Sequence, residues 1–135
     1  MKYRILIVSA NYYTDISNNL LKDAKTTLKS KAKYQIINVP GVFEIPVIIA
    51  KNIKKYHGFI ALGCVIKGET PHFDFISNTT INAIMNLSIV HKKPIGNGIL
   101  TCLYKKQAKA RSGSFNKAGK GTEAAKAVLS VLNNF

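Results

Sequence analysis

Phe59-Ile60-Ala61-Leu62-Gly63-Cys64-Val65-Ile66-Lys67-Gly68-Glu69-Thr70-Pro71-His72-Phe73-Asp74-Phe75 is the stretch that decides the fold. It opens on an unbroken apolar run, the pattern of a strand buried on both faces. It closes on the start of a segment with helical spacing, which predicts a helix over 75–91. Polar, ionisable and turn-forming residues therefore crowd the carboxyl end of a strand, and open α/β sheets bind their ligands there. The chain has only six acidic residues and three histidines, yet Glu69, His72 and Asp74 fall within this loop. A loop that only reverses the chain has no need of them.

The same alternation extends in both directions. Residues 3–8 are nearly all apolar and read as a buried strand. A polar loop over 9–16 carries Tyr12 and Tyr13. Ser17 is a candidate cap for a helix reaching about residue 31, with Leu20, Leu21, Ala24 and Leu28 at helical spacing. A second strand spans 34–39 and is broken by Pro40-Gly41. A helix over 45–56 follows, with Pro46 in its first turn. The third strand is 59–65, and the helix after it should bury Ile76, Ala83, Ile84, Leu87 and Val90. The fourth strand lies within 94–101. A short helix over 105–111 and a loop over 112–121 lead to a last helix over 122–132, with Ala124, Ala125, Val128, Leu129 and Leu132 on one side. The order β-α-β-α-β-α-β-α-α implies a three-layer α/β/α sandwich with a four-stranded parallel sheet, flavodoxin-like. The 135 residues make one domain, 1–135.

Composition narrows the function. Hydrophobic residues are 47% of the chain, as in a globular protein. No apolar run has the length of a membrane span, and the first residues enter a strand without a signal-peptide pattern. Cys64 and Cys102 lie in apolar surroundings and read as buried free thiols, which suits the cytoplasm. The net charge of +14 raises the question of nucleic acid. The lysines, however, are scattered, with no run longer than two, so a general positive field that attracts a phosphorylated small molecule is the better reading. Against this lysine background only Arg4 and Arg111 are arginines, and a guanidinium fork suits bidentate phosphate binding. Arg4, at a strand start, reads as a solvated flank.

Parallel strands deliver their carboxyl ends to one edge, so the loops over 9–16, 39–44 and 66–74 converge. They offer Tyr12 and Tyr13 as stacking surfaces, Phe43 and Glu44, and a helix start with Gly68, Thr70 and His72 suited to an anion. His72 is the side chain there with an ordinary pKa fit for proton shuttling at neutral pH. Blander roles exist for each: Glu44 offsetting a helix dipole, Asp74 capping the next helix, Thr122 and Glu123 opening a helix, His57 and His91 serving structure. No metal-ligand spacing, Walker pattern or GxGxxG occurs. The residues alone point to a site that stacks a flat polar ring, holds an anion and moves protons.

Three blocks, Val39-Pro40-Gly41-Val42-Phe43-Glu44-Ile45-Pro46, Ala61 through Asp74, and Gly98-Ile99-Leu100-Thr101, resemble the lumazine synthase family in order and distance. Lys117-Ala118-Gly119-Lys120-Gly121-Thr122-Glu123-Ala124-Ala125 is similar to its closing segment. The resemblance implies synthesis of 6,7-dimethyl-8-ribityllumazine in riboflavin biosynthesis. The substrates it implies are 5-amino-6-(D-ribitylamino)uracil and 3,4-dihydroxy-2-butanone 4-phosphate, and it implies no metal or organic cofactor. By resemblance His72 is the proton-transfer residue and Tyr12 stacks on the ring. Val42, Phe43 and Glu44 hold the ribityl chain, and Cys64, Val65 and Ile66 meet the ring. Glu69 and Thr70 form the phosphate loop, Arg111 binds the phosphate and Lys120 lies near the ring. Asn97 stands where many members carry phenylalanine, so a backbone contact is expected there.

The resemblance further implies a homopentamer with sites between subunits, Tyr12, Glu44 and the His72 loop coming from one and Asn97 and Arg111 from the next. The segment that commonly precedes the first strand is nearly absent, and the 111–120 loop is about one residue longer than in shell-forming members. Both favour a free pentamer over a sixty-subunit shell. Other readings stay open at this point: a basic module binding nucleic acid, and the same fold acting on a phosphosugar or a pteridine-like substrate. A receiver-type switch is disfavoured, because no acidic cluster follows the first strand.

Overall fold

The computed structural model describes residues 2–68, 72–113 and 119–134. Four strands, β1 (Arg4–Ala10), β2 (Lys33–Val39), β3 (Gly58–Ile66) and β4 (Ile95–Cys102), alternate with helices α1 (Thr14–Leu28), α2 (Ile45–Lys51) and α3 (His72–His91). Two more helices, α4 (Lys105–Arg111) and α5 (Lys120–Asn133), end the described chain, and a 3₁₀ turn at Val42–Glu44 leads into α2. All neighbouring strands are parallel, in the order β2-β1-β3-β4. That is the doubly wound order of the flavodoxin type.

Side chains on a strand alternate between faces, and here the alternation builds two cores. Ile5 and Ile7 of β1, Ile60, Leu62 and Cys64 of β3, and Leu100 and Cys102 of β4 face α1 and α5. Leu6, Val8 and Ala10, Phe59, Ala61 and Val65, and Ile99 face the 3₁₀ turn, α2 and α3. The expected stripe of α5, Ala124, Ala125, Val128, Leu129 and Leu132, is buried throughout.

Differences from expectation lie at element ends. The expected cap Ser17 is a buried residue inside α1, which begins at Thr14; its hydroxyl donates to the Ala10 carbonyl at 2.7 Å and ties α1 to the end of β1. The α2 helix stops at Lys51 rather than near residue 56, because Asn52 turns its amide onto the Ile48 carbonyl at 2.8 Å and Lys93 binds the Ile53 carbonyl at 2.6 Å. The α3 helix begins three residues early, at His72, so Asp74 sits in its first turn rather than capping it. Ile84 is buried as expected, whereas Ala83 is half-buried and Val90 is exposed.

Among the described residues, Phe59 is the largest fully buried side chain. Phe59→Ala should cost ~3–5 kcal/mol of stability, read as a lowered urea midpoint at fixed protein concentration.

Candidate active site

The parallel register brings Ala10, Val39 and Ile66 to one edge of the sheet. The segments that follow them enclose a concavity of about 580 Å³. Tyr12, Val42, Phe43, Cys64, Val65, Ile66 and His72 all line it, joined by Tyr13, Gly41 and Ile76. Seven of the expected site residues, far apart in sequence, are thus brought together by topology alone.

The walls differ in kind. Tyr12 is 75% exposed and meets Tyr13 edge-on, ring centroids 4.9 Å apart. Phe43 is also largely exposed. Two apolar rings held at the mouth of a cavity are costly to leave in water and well suited to a flat ligand. The floor is the end of β3. Burial pushes the Cys64 thiol up to about 12, with Cys102 and Asp15 adding to the effect. Burial also raises the Tyr13 phenol, helped by Cys64 and Tyr12. Both groups are therefore neutral near pH 7, and Cys64 offers an apolar sulfur rather than a thiolate nucleophile. His72, the first residue of α3, sits at the rim of this concavity.

Glu44 stands behind this wall. Its Oε1 accepts the Gly41 N–H at 3.0 Å while its own N–H donates to the Gly41 carbonyl at 3.2 Å. The carboxylate thus closes the 3₁₀ turn that presents Val42 and Phe43, and it occupies the N-terminal end of α2. Glu69 and Thr70 lie outside the described residues.

The remaining expected residues are elsewhere. Asn97, Arg111 and Lys120 line a second concavity of about 550 Å³ beside the edge strand β4, which shares no residue with the first. Asn97 turns its Oδ1 onto the Ile99 N–H at 3.0 Å, so the side chain covers its own strand edge and is not extended toward a ligand. Lys120 pairs with Glu123 at 3.3 Å. Arg111 closes α4, with one guanidinium nitrogen 3.9 Å from the Cys102 sulfur. Ile81, Ala110 and Glu123 also line this second concavity, with the β4 residues Ile99 to Thr101 and Gly119. Helical spacing places Ile81 on α3 but carries no signal that it faces this second cavity. Among the described residues, no group of His, Cys, Asp and Glu has metal-binding geometry, and no helix is long and apolar enough to cross a membrane.

The raised Cys64 pKa gives a direct check. A group deprotonating near 12 is only ~10⁻⁴ thiolate at pH 8, so iodoacetamide should label Cys64 very slowly there, about tenfold faster per pH unit as pH rises. Peptide mass spectrometry of the native protein reads this; rapid labelling of Cys64 at pH 8 contradicts it.

Comparison with known proteins agrees with the resemblance seen in the motifs. The family model for 6,7-dimethyl-8-ribityllumazine synthase matches residues 2–135. A 6,7-dimethyl-8-ribityllumazine synthase of Bartonella henselae is 45% identical over 141 residues, covering 99% of this chain and 91% of the relative. One from Agrobacterium fabrum is 44% identical over 139 residues, covering 97% and 93%. A 6,7-dimethyl-8-ribityllumazine synthase 1 of Rhodopseudomonas palustris is 43% identical over 138 residues, covering 95% and 85%. The chain belongs to the 6,7-dimethyl-8-ribityllumazine synthase family.

Proposed function

We propose that the chain acts as one domain in a cytoplasmic homopentamer that makes 6,7-dimethyl-8-ribityllumazine for riboflavin biosynthesis, in sites shared between neighbouring copies. Family membership carries the activity. The observation that carries the shared site is the split of the expected residues between two cavities of one chain. Tyr12 and His72 line one, while Arg111 and Lys120 line the other. A ring stacked on Tyr12 and a phosphate held by Arg111 can react only if a second copy brings its β4 edge to the first copy's strand ends. The exposed apolar side chains Phe75, Met85, Ile89 and Val90 of α3 support association, because such surface is costly to leave in water.

The chamber suits the chemistry of the two substrates. The flat pyrimidine of 5-amino-6-(D-ribitylamino)uracil stacks on Tyr12 over the β3 end, and its ribityl chain runs along the Val42–Glu44 turn. The phosphate of 3,4-dihydroxy-2-butanone 4-phosphate takes the guanidinium of Arg111, within the field of a chain of charge +14. The ring amine attacks the ketone and water leaves as the imine forms. Loss of an adjacent proton expels phosphate. The enol left behind tautomerises to a new carbonyl, the ribitylamino nitrogen attacks that carbonyl, and a second dehydration closes the ring. Each step moves a proton and none changes the overall oxidation state. A histidine at the rim, the side chain that serves most often as general acid and base, suits every one of them. Holding two substrates in contact supplies much of the remaining acceleration.

The test is an assay of the purified protein with both substrates and no added cofactor, following lumazine absorbance and phosphate release. His72→Ala should lower kcat by ~10²–10⁴-fold with residual turnover. Arg111→Ala should act chiefly on the KM of the phosphorylated ketone, raising it at least ~10-fold through loss of a charge-assisted pair. Wild-type protein that forms no lumazine above the uncatalysed background overturns the reading.

A further inference from the structure

Three residues of α1 at four-residue spacing, Asp15, Asn19 and Asp23, form one stripe of the helix. Each meets the segment that carries Arg111 and Lys120. Asp15 lies 3.8 Å from Lys105 Nζ and 3.6 Å from Lys109 Nζ, on α4. Asn19 donates its side-chain amide to the Ser112 hydroxyl at 3.4 Å, directly after Arg111. Asp23 Oδ2 accepts the Gly119 N–H at 3.1 Å, directly before Lys120.

The backbone is built around the last contact. Gly113 has φ +104°, a conformation side chains disfavour, and a Cβ there would stand 2.3 Å from Asp23 Oδ2. A Cβ on Gly119 would stand 2.4 Å from the Gly113 nitrogen. The chain therefore leaves Arg111 through Gly113, returns to Lys120 through Gly119, and the two glycines touch with the Asp23 carboxylate against both. The start of α5 is fixed separately, because Gly121 packs onto the Leu20 carbonyl so closely that a Cβ would lie 2.2 Å from its oxygen. Arg111 is joined to this neck through the buried Ser112.

Resting on the functional reading above, we infer that Asp23 is a positioning residue for phosphate binding, closing the Gly113–Gly119 neck so that Arg111 and Lys120 face the ligand at fixed separation. The exposed Asp15 pairs add little, since ion pairs in water are weak, and the Asn19 contact is long for a hydrogen bond. Asp23 joins a half-buried carboxylate to a backbone N–H, the stronger kind of contact.

Asp23→Ala removes the acceptor while keeping a good helix former in α1; Asp23→Asn keeps an acceptor oxygen and removes the charge. Steady-state kinetics for both substrates and calorimetric titration with inorganic phosphate would be run at a temperature where circular dichroism shows each protein folded. Asp23→Ala should raise the ketone KM and the phosphate Kd about tenfold, with kcat and the KM of the ring amine changing less than about threefold. Asp23→Asn should restore both within about twofold. A wild-type ketone KM and phosphate Kd in Asp23→Ala overturn the inference, as does an Asp23→Asn variant as impaired as the alanine. Wild-type protein that binds no phosphate overturns it too. Wild-type protein that binds phosphate but forms no lumazine sinks only the functional reading, and the phosphate titration still decides the role of Asp23.

Discussion

The all-parallel pairing of β3 between β1 and β4 is the constraint on which the rest depends. The β3 strand is buried from Gly58 to Val65, with Ile60, Leu62 and Cys64 packed toward one helical layer and Phe59, Ala61 and Val65 toward the other. A one-residue slip would exchange these two sets and spoil both cores at once. Because the register is held so firmly, the end of β3 is a rigid floor, and the segments after β1 and β2 have nowhere to go but beside it. The positions of Tyr12, Phe43 and His72 follow from that geometry rather than from contacts among themselves.

A second consequence concerns the edge. The β4 strand is hydrogen-bonded on one side only, and such an edge invites pairing with other chains. Here it is partly answered by Asn97, whose side chain satisfies the Ile99 N–H. The cations beside it, Arg111 and Lys120, line a different concavity from the one that holds Tyr12 and His72. In the proposed assembly the edge becomes an asset, since each copy lends its cationic wall to the next and receives one in turn. The +14 charge then works as a general attraction for a phosphorylated substrate, while the scarce guanidinium supplies the directed contact.

The sheet and the order of elements along the chain were legible because apolar runs of strand length alternate with helical spacing; strand limits differ by at most two residues from those expected. The short α4 was legible to the residue. The starts of α1 and α3 were not. Ser17 has the chemistry of a cap, but its hydroxyl is worth more bonded to the Ala10 carbonyl inside the fold. His72 opens α3 where spacing alone placed the start at Phe75, because apolar periodicity is blind to a polar first turn. Of the candidate site, the wall built from strand ends could be read from topology. Arg111 stood out by rarity, but its separation from Tyr12 within one chain has no signature in spacing. Asp23 gave no signal either, since a lone acidic residue on a helix reads as solvated surface until Gly113 and Gly119 are seen to meet it.

The central claim is that one catalytic chamber needs two copies of the chain. It is tested most directly by mixing. His72→Ala and Arg111→Ala proteins would be unfolded together, refolded as mixed assemblies and assayed beside each variant refolded alone. Complementary defects on opposite walls leave about one interface in four with both walls intact in an equal mixture, so at ketone concentrations well below the wild-type KM the mixture should recover roughly a quarter of wild-type turnover. If co-assembly is verified and the mixture is no more active than the average of the two separate variants, the walls belong to one copy and the account is wrong.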